Sequence, residues 1–117
     1  MTINEIQKGY CDKRFSVQEI VTEYLERIGR LDGTIGAFLT VCNDSALQKA
    51  AELDEKRSRG EEVGPLAGIP VAVKDNICTR GIRTTCASGM LEDFVSPYDA
   101  TAVKKLKEAD AILIGKA

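Results

Sequence analysis

A mixed α/β fold is predicted, with a central sheet covered by helices. Three observations predict it. Val17, Ile20, Val21, Tyr24, Leu25 and Ile28 recur at helical spacing and form one apolar stripe. Two short β-branched apolar runs, one ending at Val73 and one at Ile114, read as strands. Helical and strand patterns interleave along the chain, which favours a sheet with helical cover over separate all-α and all-β parts.

Each element has a local reason. Thr2 with Glu5 and Ser16 with Glu19 are capping boxes for two opening helices, and Gly29 or Gly33 is expected to end the second. Ala37–Val41 reads as a short strand. Asn43 or Asp44 is the expected cap of a third helix, with Leu47, Ala50, Ala51 and Leu53 inward and Gly60 as its stop. Gly64–Pro70 is a turn-rich approach to the strand Val71–Lys74. Thr84–Cys86 is expected to be extended. Asp99 is the expected N-cap of a helix over Ala100–Ala109, with Ala102, Val103, Leu106 and Ala109 inward. Ala111–Ile114 reads as a buried strand closed by Gly115.

Composition excludes several classes. At 117 residues with a net charge of −2, the chain is about one small domain and lacks the basic stripe of a nucleic-acid binder. Glu5, Lys8, Asp12 and Lys13 break the first stretch too early for a signal peptide, and no apolar run is long enough to span a membrane. Cys11, Cys42, Cys78 and Cys86 are scattered, and there is no histidine, so no zinc site is expected. Unpaired cysteines without a secretion signal point to a cytoplasmic protein. Without histidine, a Ser-His-Asp or Cys-His site cannot be assembled from these residues. No P-loop is present, so no cofactor site is expected in this chain.

The informative segment is Gly64–Ile77, GPLAGIPVAVKDNI. Strand alternation puts Val71, Val73 and Asp75 on one side and Ala72, Lys74 and Asn76 on the other. The strand is apolar enough to be central and covered on both faces. A lysine held there in neutral form would be a general base. A lysine at a strand end also commonly reaches out to water, and Asp75 and Asn76 fit ordinary turn residues bonding local backbone. Residue type leaves both readings open.

The run Pro65–Asn76 closely resembles the catalytic-lysine segment of the amidase signature family. Gly81–Ser88, Tyr98–Val103 and Ala111–Lys116 fit the same resemblance, as do the opening helices, so it covers essentially the whole chain. Asp75–Cys78 with Thr84–Ser88 is similar to the branch of that family that works in tRNA-dependent amide formation. Gly89, Asp110 and Ala117 depart from it, standing where a longer residue, a glycine and a threonine are expected.

The resemblance implies a Ser-cisSer-Lys triad in which Lys74 takes a proton from a bridging serine, activating a nucleophilic serine. Ser16, Ser45, Ser58, Ser88 and Ser96 match neither serine. Both are expected downstream in a Gly/Ser-rich signature, which makes residues 1–117 the N-terminal portion of one amidase domain, inactive when isolated. The resemblance further implies glutamine as substrate, two partner subunits, Glu-tRNA(Gln) reached through the complex, and ATP with Mg handled by a partner. Open strand edges lead to an expectation of self-association for the isolated chain. The alternatives are a related hydrolase of small amides and a non-catalytic module.

Overall fold

Thr2 and Ser16 start the first two helices in the way their boxes require. The computed structural model describes residues 1–117. At the head of α1 (Ile3–Cys11), the Thr2 hydroxyl accepts from the Glu5 N–H while the Glu5 carboxylate accepts from the Thr2 N–H. Ser16 and Glu19 repeat the exchange at the head of α2 (Val17–Ile35). Each box satisfies donors that a helix start leaves open. The α2 stripe is inward as expected: Val17, Ile20, Val21 and Leu25 are buried, with Tyr24 and Ile28 partly covered.

Neither Gly29 nor Gly33 ends α2. The helix runs to Gly36, which takes φ 66° and donates to the Asp32 carbonyl at 2.7 Å. A mid-helix glycine costs only about 1 kcal/mol relative to alanine, too little to stop a packed helix. The Asp32 carboxylate provides the exit, accepting from the N–H groups of Ala37 at 2.7 Å and Phe38 at 3.2 Å. Those donors are thereby withdrawn from any ladder. The strand expected over Ala37–Val41 shrinks to β1 (Thr40–Val41).

Helix α3 (Asn43–Ser58) follows at once and has no side-chain cap. Its N-cap is Cys42, not Asn43 or Asp44, because the Cys42 N–H is still bonded to the Ile114 carbonyl at 2.9 Å when the helix begins. The buried face is Ala46, Ala50 and Leu53, while Leu47 and Ala51 are exposed. Small residues on that face suit close packing against α2. Gly60, at φ 70°, ends the helix region as expected.

The remaining elements are β2 (Pro70–Val73), a 3-10 turn at Gly89–Leu91, α4 (Thr101–Glu108) and β3 (Ile112–Lys116). The three-stranded sheet has the order β1-β3-β2, antiparallel at the first pairing and parallel at the second, so the predicted mixed α/β architecture is present. Core residues of α1, α2 and α3 join Ile112 and Ile114 of β3 in one cluster. No helix is long and apolar enough to cross a membrane.

Within these residues β2 pairs with β3 alone, and Ala72 and Lys74 are exposed. Two further expectations are corrected. β3 runs through Gly115 to Lys116, because Gly115 lets β1 approach; a Cβ there would lie 2.6 Å from the Thr40 carbonyl oxygen. The N-cap of α4 is Ala100, since the Asp99 carboxylate is taken up by the Arg80 N–H at 2.7 Å and the Lys107 ammonium at 2.9 Å. On α4, Val103 is buried and Leu106 partly so, whereas Ala102 is exposed. The open edge of β2 retains the expectation that the isolated chain self-associates. Light scattering on a size-exclusion column is expected to show a species larger than a monomer.

Candidate functional site

The segment before β2 is tied to the turn after α4. Gly64 N–H donates to the Asp110 carboxylate at 2.7 Å, Leu66 N–H to the Ala109 carbonyl at 2.9 Å, and Gly68 N–H to the Asp110 carbonyl at 3.1 Å. Tyr10, inside the core, donates its hydroxyl proton to the Gly68 carbonyl at 2.8 Å. Asp110 has φ 61°, the left-handed region that favours glycine, which matches the glycine the family resemblance expects there. Its carboxylate, set against a helix C-terminus, is compensated by Lys49 at 2.9 Å and by the Gly64 N–H.

This tether delivers β2 into register with β3, and Lys74 emerges at its end. The ladder continues past the strand. Ala117 N–H donates to the Val73 carbonyl at 2.9 Å, and Asp75 N–H donates to the Ala117 carbonyl at 2.7 Å. Lys74 therefore sits between two backbone bonds to the end of β3. Its own carbonyl accepts from Ile77 N–H at 3.0 Å, closing a turn. The side chain is exposed, and the four ion pairs of the chain, Lys49–Asp110, Arg59–Glu55, Arg59–Glu61 and Lys107–Asp99, do not include it. A lysine with a fixed backbone and an open head can be reached by groups from outside these residues.

Asp75 is not the locally bonded turn residue that its type suggested. It is 1% exposed, and its carboxylate reaches Thr85, accepting from that residue's N–H at 2.9 Å and hydroxyl at 2.5 Å, and from Ala87 N–H at 3.5 Å. The other carboxylate oxygen, Oδ1, has no partner. The extended piece expected over Thr84–Cys86 stops at Thr85. Cys86 and Ala87 take φ 52° and 54°, a left-handed conformation that costs roughly 1–2 kcal/mol per L-residue. Two of the N–H groups in this bend converge on the Asp75 carboxylate, and that convergence holds it.

Sequence reasoning missed Lys116. It is 1% exposed, and its ammonium donates to the Ile77 carbonyl at 2.6 Å and to the hydroxyls of Thr79 and Thr84, each at 3.1 Å. The available signal was a lysine directly following the buried-type run Ala111–Gly115, where a solvated side chain is hard to place. Burial pushes its pKa down from the ordinary lysine value, and the negative charge of Asp75 works against that shift. Of the candidate serines, Ser96 is buried and donates its hydroxyl proton to the Tyr98 carbonyl at 2.7 Å, a local tie. The largest concavity, about 620 Å³, is lined by residues such as Tyr10, Phe15, Asp54 and Arg57 and includes neither lysine of this site.

Asp75, Asp99 and Asp110 all titrate below the ordinary carboxylate range. In each, burial by itself raises the pKa, and hydrogen bonds outweigh it: from Thr85 and Ala87 to Asp75, from Lys107 and Arg80 to Asp99, from Gly64 and Lys49 to Asp110. A carboxylate whose folded pKa lies below its unfolded value, about 3.9, adds stability at higher pH that is lost as pH falls through the folded pKa. Thermal melts followed by circular dichroism are expected to be level between about pH 7 and 5 and to drop below about pH 4. Asp110→Asn is expected to melt lower than the parent at neutral pH, with the gap closing in acid.

Comparison with solved structures gives the class. The chain superposes on a bacterial aryl acylamidase of the amidase signature enzymes with a TM-score of 0.92 and 28% identity, covering 99% of this chain and 24% of that one. It superposes equally, at TM-score 0.92 and 33% identity, on the native peptide amidase of Stenotrophomonas maltophilia, again over 99% of this chain and 24% of that one. The fold is thus that of an amidase-type α/β domain. The Amidase family model matches residues 19–117, and the chain belongs to that family. Among curated relatives, a glutamyl-tRNA(Gln) amidotransferase subunit from Alkaliphilus metalliredigens is 63% identical over 116 residues. The corresponding glutamyl-tRNA(Gln) amidotransferase subunit from Clostridium acetobutylicum is 53% identical over 116 residues. The chain spans about a quarter of their length, 24% of each.

Proposed function

We propose that these residues are the N-terminal portion of a single amidase domain that serves as the glutaminase subunit of a glutamyl-tRNA(Gln) amidotransferase. The observation that carries this reading is the 63% identity across 99% of the chain to a subunit of that enzyme, set beside 28–33% to the aryl acylamidase and the peptide amidase. Lys74 is the base of a Ser-cisSer-Lys triad whose serines lie in another part of the domain. It accepts the proton of the bridging serine, which in turn takes the proton of the nucleophilic serine as that oxygen attacks the glutamine carboxamide. The acyl-serine intermediate forms as ammonia leaves, and water then releases glutamate.

Ammonia passes to a partner protein that amidates Glu-tRNA(Gln) with ATP and Mg. The 117 residues alone are expected to hydrolyse no amide, since Lys74 stands here without a serine partner.

The test is substrate choice by the intact protein that carries this segment. Ammonia release from glutamine, faster in the presence of the partner subunits and Glu-tRNA(Gln), is the expected result. Preference for an aryl amide or a peptide amide, with glutamine inert, would move the protein to the small-amide hydrolases.

A further inference from the structure

We propose that Asp75 and Lys116 are positioning residues for amide hydrolysis, a pair of buried opposite charges that clamps the turn carrying Lys74. The proposal rests on the role of Lys74 given above. Lys74 itself is exposed and its backbone is fixed on both sides by ladder bonds to Ala117. What those bonds do not fix is the turn that follows. There the two charges act. Lys116 spends its three donors on Ile77, Thr79 and Thr84. Asp75 takes the N–H and hydroxyl of Thr85 and the N–H of Ala87. Thr84 and Thr85 are adjacent, so one dipeptide is held by the cation on one residue and by the anion on the next.

Stability alone is a poor reason for this arrangement. Asp75 and Lys116 make no direct ion pair, and each buried charge carries a desolvation cost that its hydrogen bonds must offset. Here the Asp75 carboxylate also stabilises a bend with two consecutive left-handed non-glycine residues, Cys86 and Ala87. Strain of this kind persists where the surroundings over-determine the backbone, and it gathers at sites whose geometry matters. The residues so held flank Lys74 directly: Asp75 is its neighbour in the chain, and Lys116 is the register partner of Val73 on β3. A base must sit within hydrogen-bond reach of the proton it removes, and small displacements of such groups lower turnover steeply.

The experiment is steady-state glutamine hydrolysis by the intact amidase-family protein carrying Asp75→Asn, Lys116→Met, both together, and Asp75→Asn on a Lys74→Ala background. Each single change is expected to lower kcat by about 10- to 100-fold with KM held within about threefold. The double variant is expected to fall less than the product of the two, as coupled residues do. On the Lys74→Ala background, Asp75→Asn should leave the residual rate unchanged. Should either charge variant prove too unstable to assay, Thr85→Val and Thr85→Ser report on the same clamp: the first removes the hydroxyl that Asp75 holds and should lower kcat, and the second keeps it and should restore the rate. Unchanged kcat in Asp75→Asn or in Thr85→Val would overturn the proposal, leaving the pair structural. An equal drop on the Lys74→Ala background would also overturn it, showing action independent of Lys74. Full turnover by Lys74→Ala alone would instead remove the base reading, and the clamp with it.

Discussion

Lys74→Ala is expected to lower glutamine hydrolysis by the intact protein by about 10²- to 10⁴-fold while leaving it folded. The rate loss follows from the proposed role: a general base that activates a nucleophile contributes roughly 10²–10⁴-fold, and members of a relay that act as a unit fall together. The preserved stability follows from the structure. Within these residues the Lys74 side chain is exposed and takes part in no ion pair, so its removal breaks no packing inside this segment. Lys74→Arg sharpens the test. Arginine keeps the charge and reach but stays protonated, with a pKa above about 12, and cannot accept the serine proton. Stopped assays of ammonia release on the purified variants, each paired with a thermal melt, measure both quantities. Near-normal turnover in the arginine variant would show that Lys74 supplies charge and not proton transfer.

The largest effect on stability is expected from Gly64→Ala. A Cβ at this position would lie 2.4 Å from both the carbonyl carbon and the oxygen of Ala109, and 2.9 Å from its Cα. All three are backbone atoms, so no side chain can swing aside. The chain must move away from the α4–β3 corner. In moving it stretches the Gly64 bond to the Asp110 carboxylate and the Leu66 bond to Ala109. Losing a charge-assisted bond costs about 1.5–3 kcal/mol and a neutral one about 1 kcal/mol, so a loss of about 2.5–4 kcal/mol is expected from the two together. Chemical denaturation of the variant beside the parent reads this directly. The same segment leads into β2, so hydrogen exchange should also quicken at Val71–Val73.

Much of this fold was legible because its signals are local. A capping box needs only the residues at either end of one helical turn, and both boxes form as the sequence requires. The α2 stripe needs only periodicity, and it faces inward. Errors arose where a distant partner claimed a group. Asp99 was free to cap α4 until Arg80 and Lys107 took its carboxylate. Ala37 and Phe38 could have extended β1, but Asp32 took their N–H groups. Cys42 starts α3 while still bonded to β3, a constraint that lies outside its own neighbourhood. On α3, Ala46 displaced Leu47 from the core, a choice set by close packing between helices and not by hydrophobicity.

The candidate site divides along the same line. The sequence by itself determined that Lys74 closes an apolar strand within a family-specific run, and that these residues contain no histidine. Both follow from residue identity and order. Only the tertiary structure decided that Asp75 and Lys116 are buried against the loop beyond β2. The physical reason is separation along the chain. Asp75 meets Thr85, and Lys116 meets Ile77 and Thr84, across spans that no periodicity or capping rule connects. A buried charge becomes tolerable only when the groups that satisfy it have been brought together, and that happens when the sheet forms.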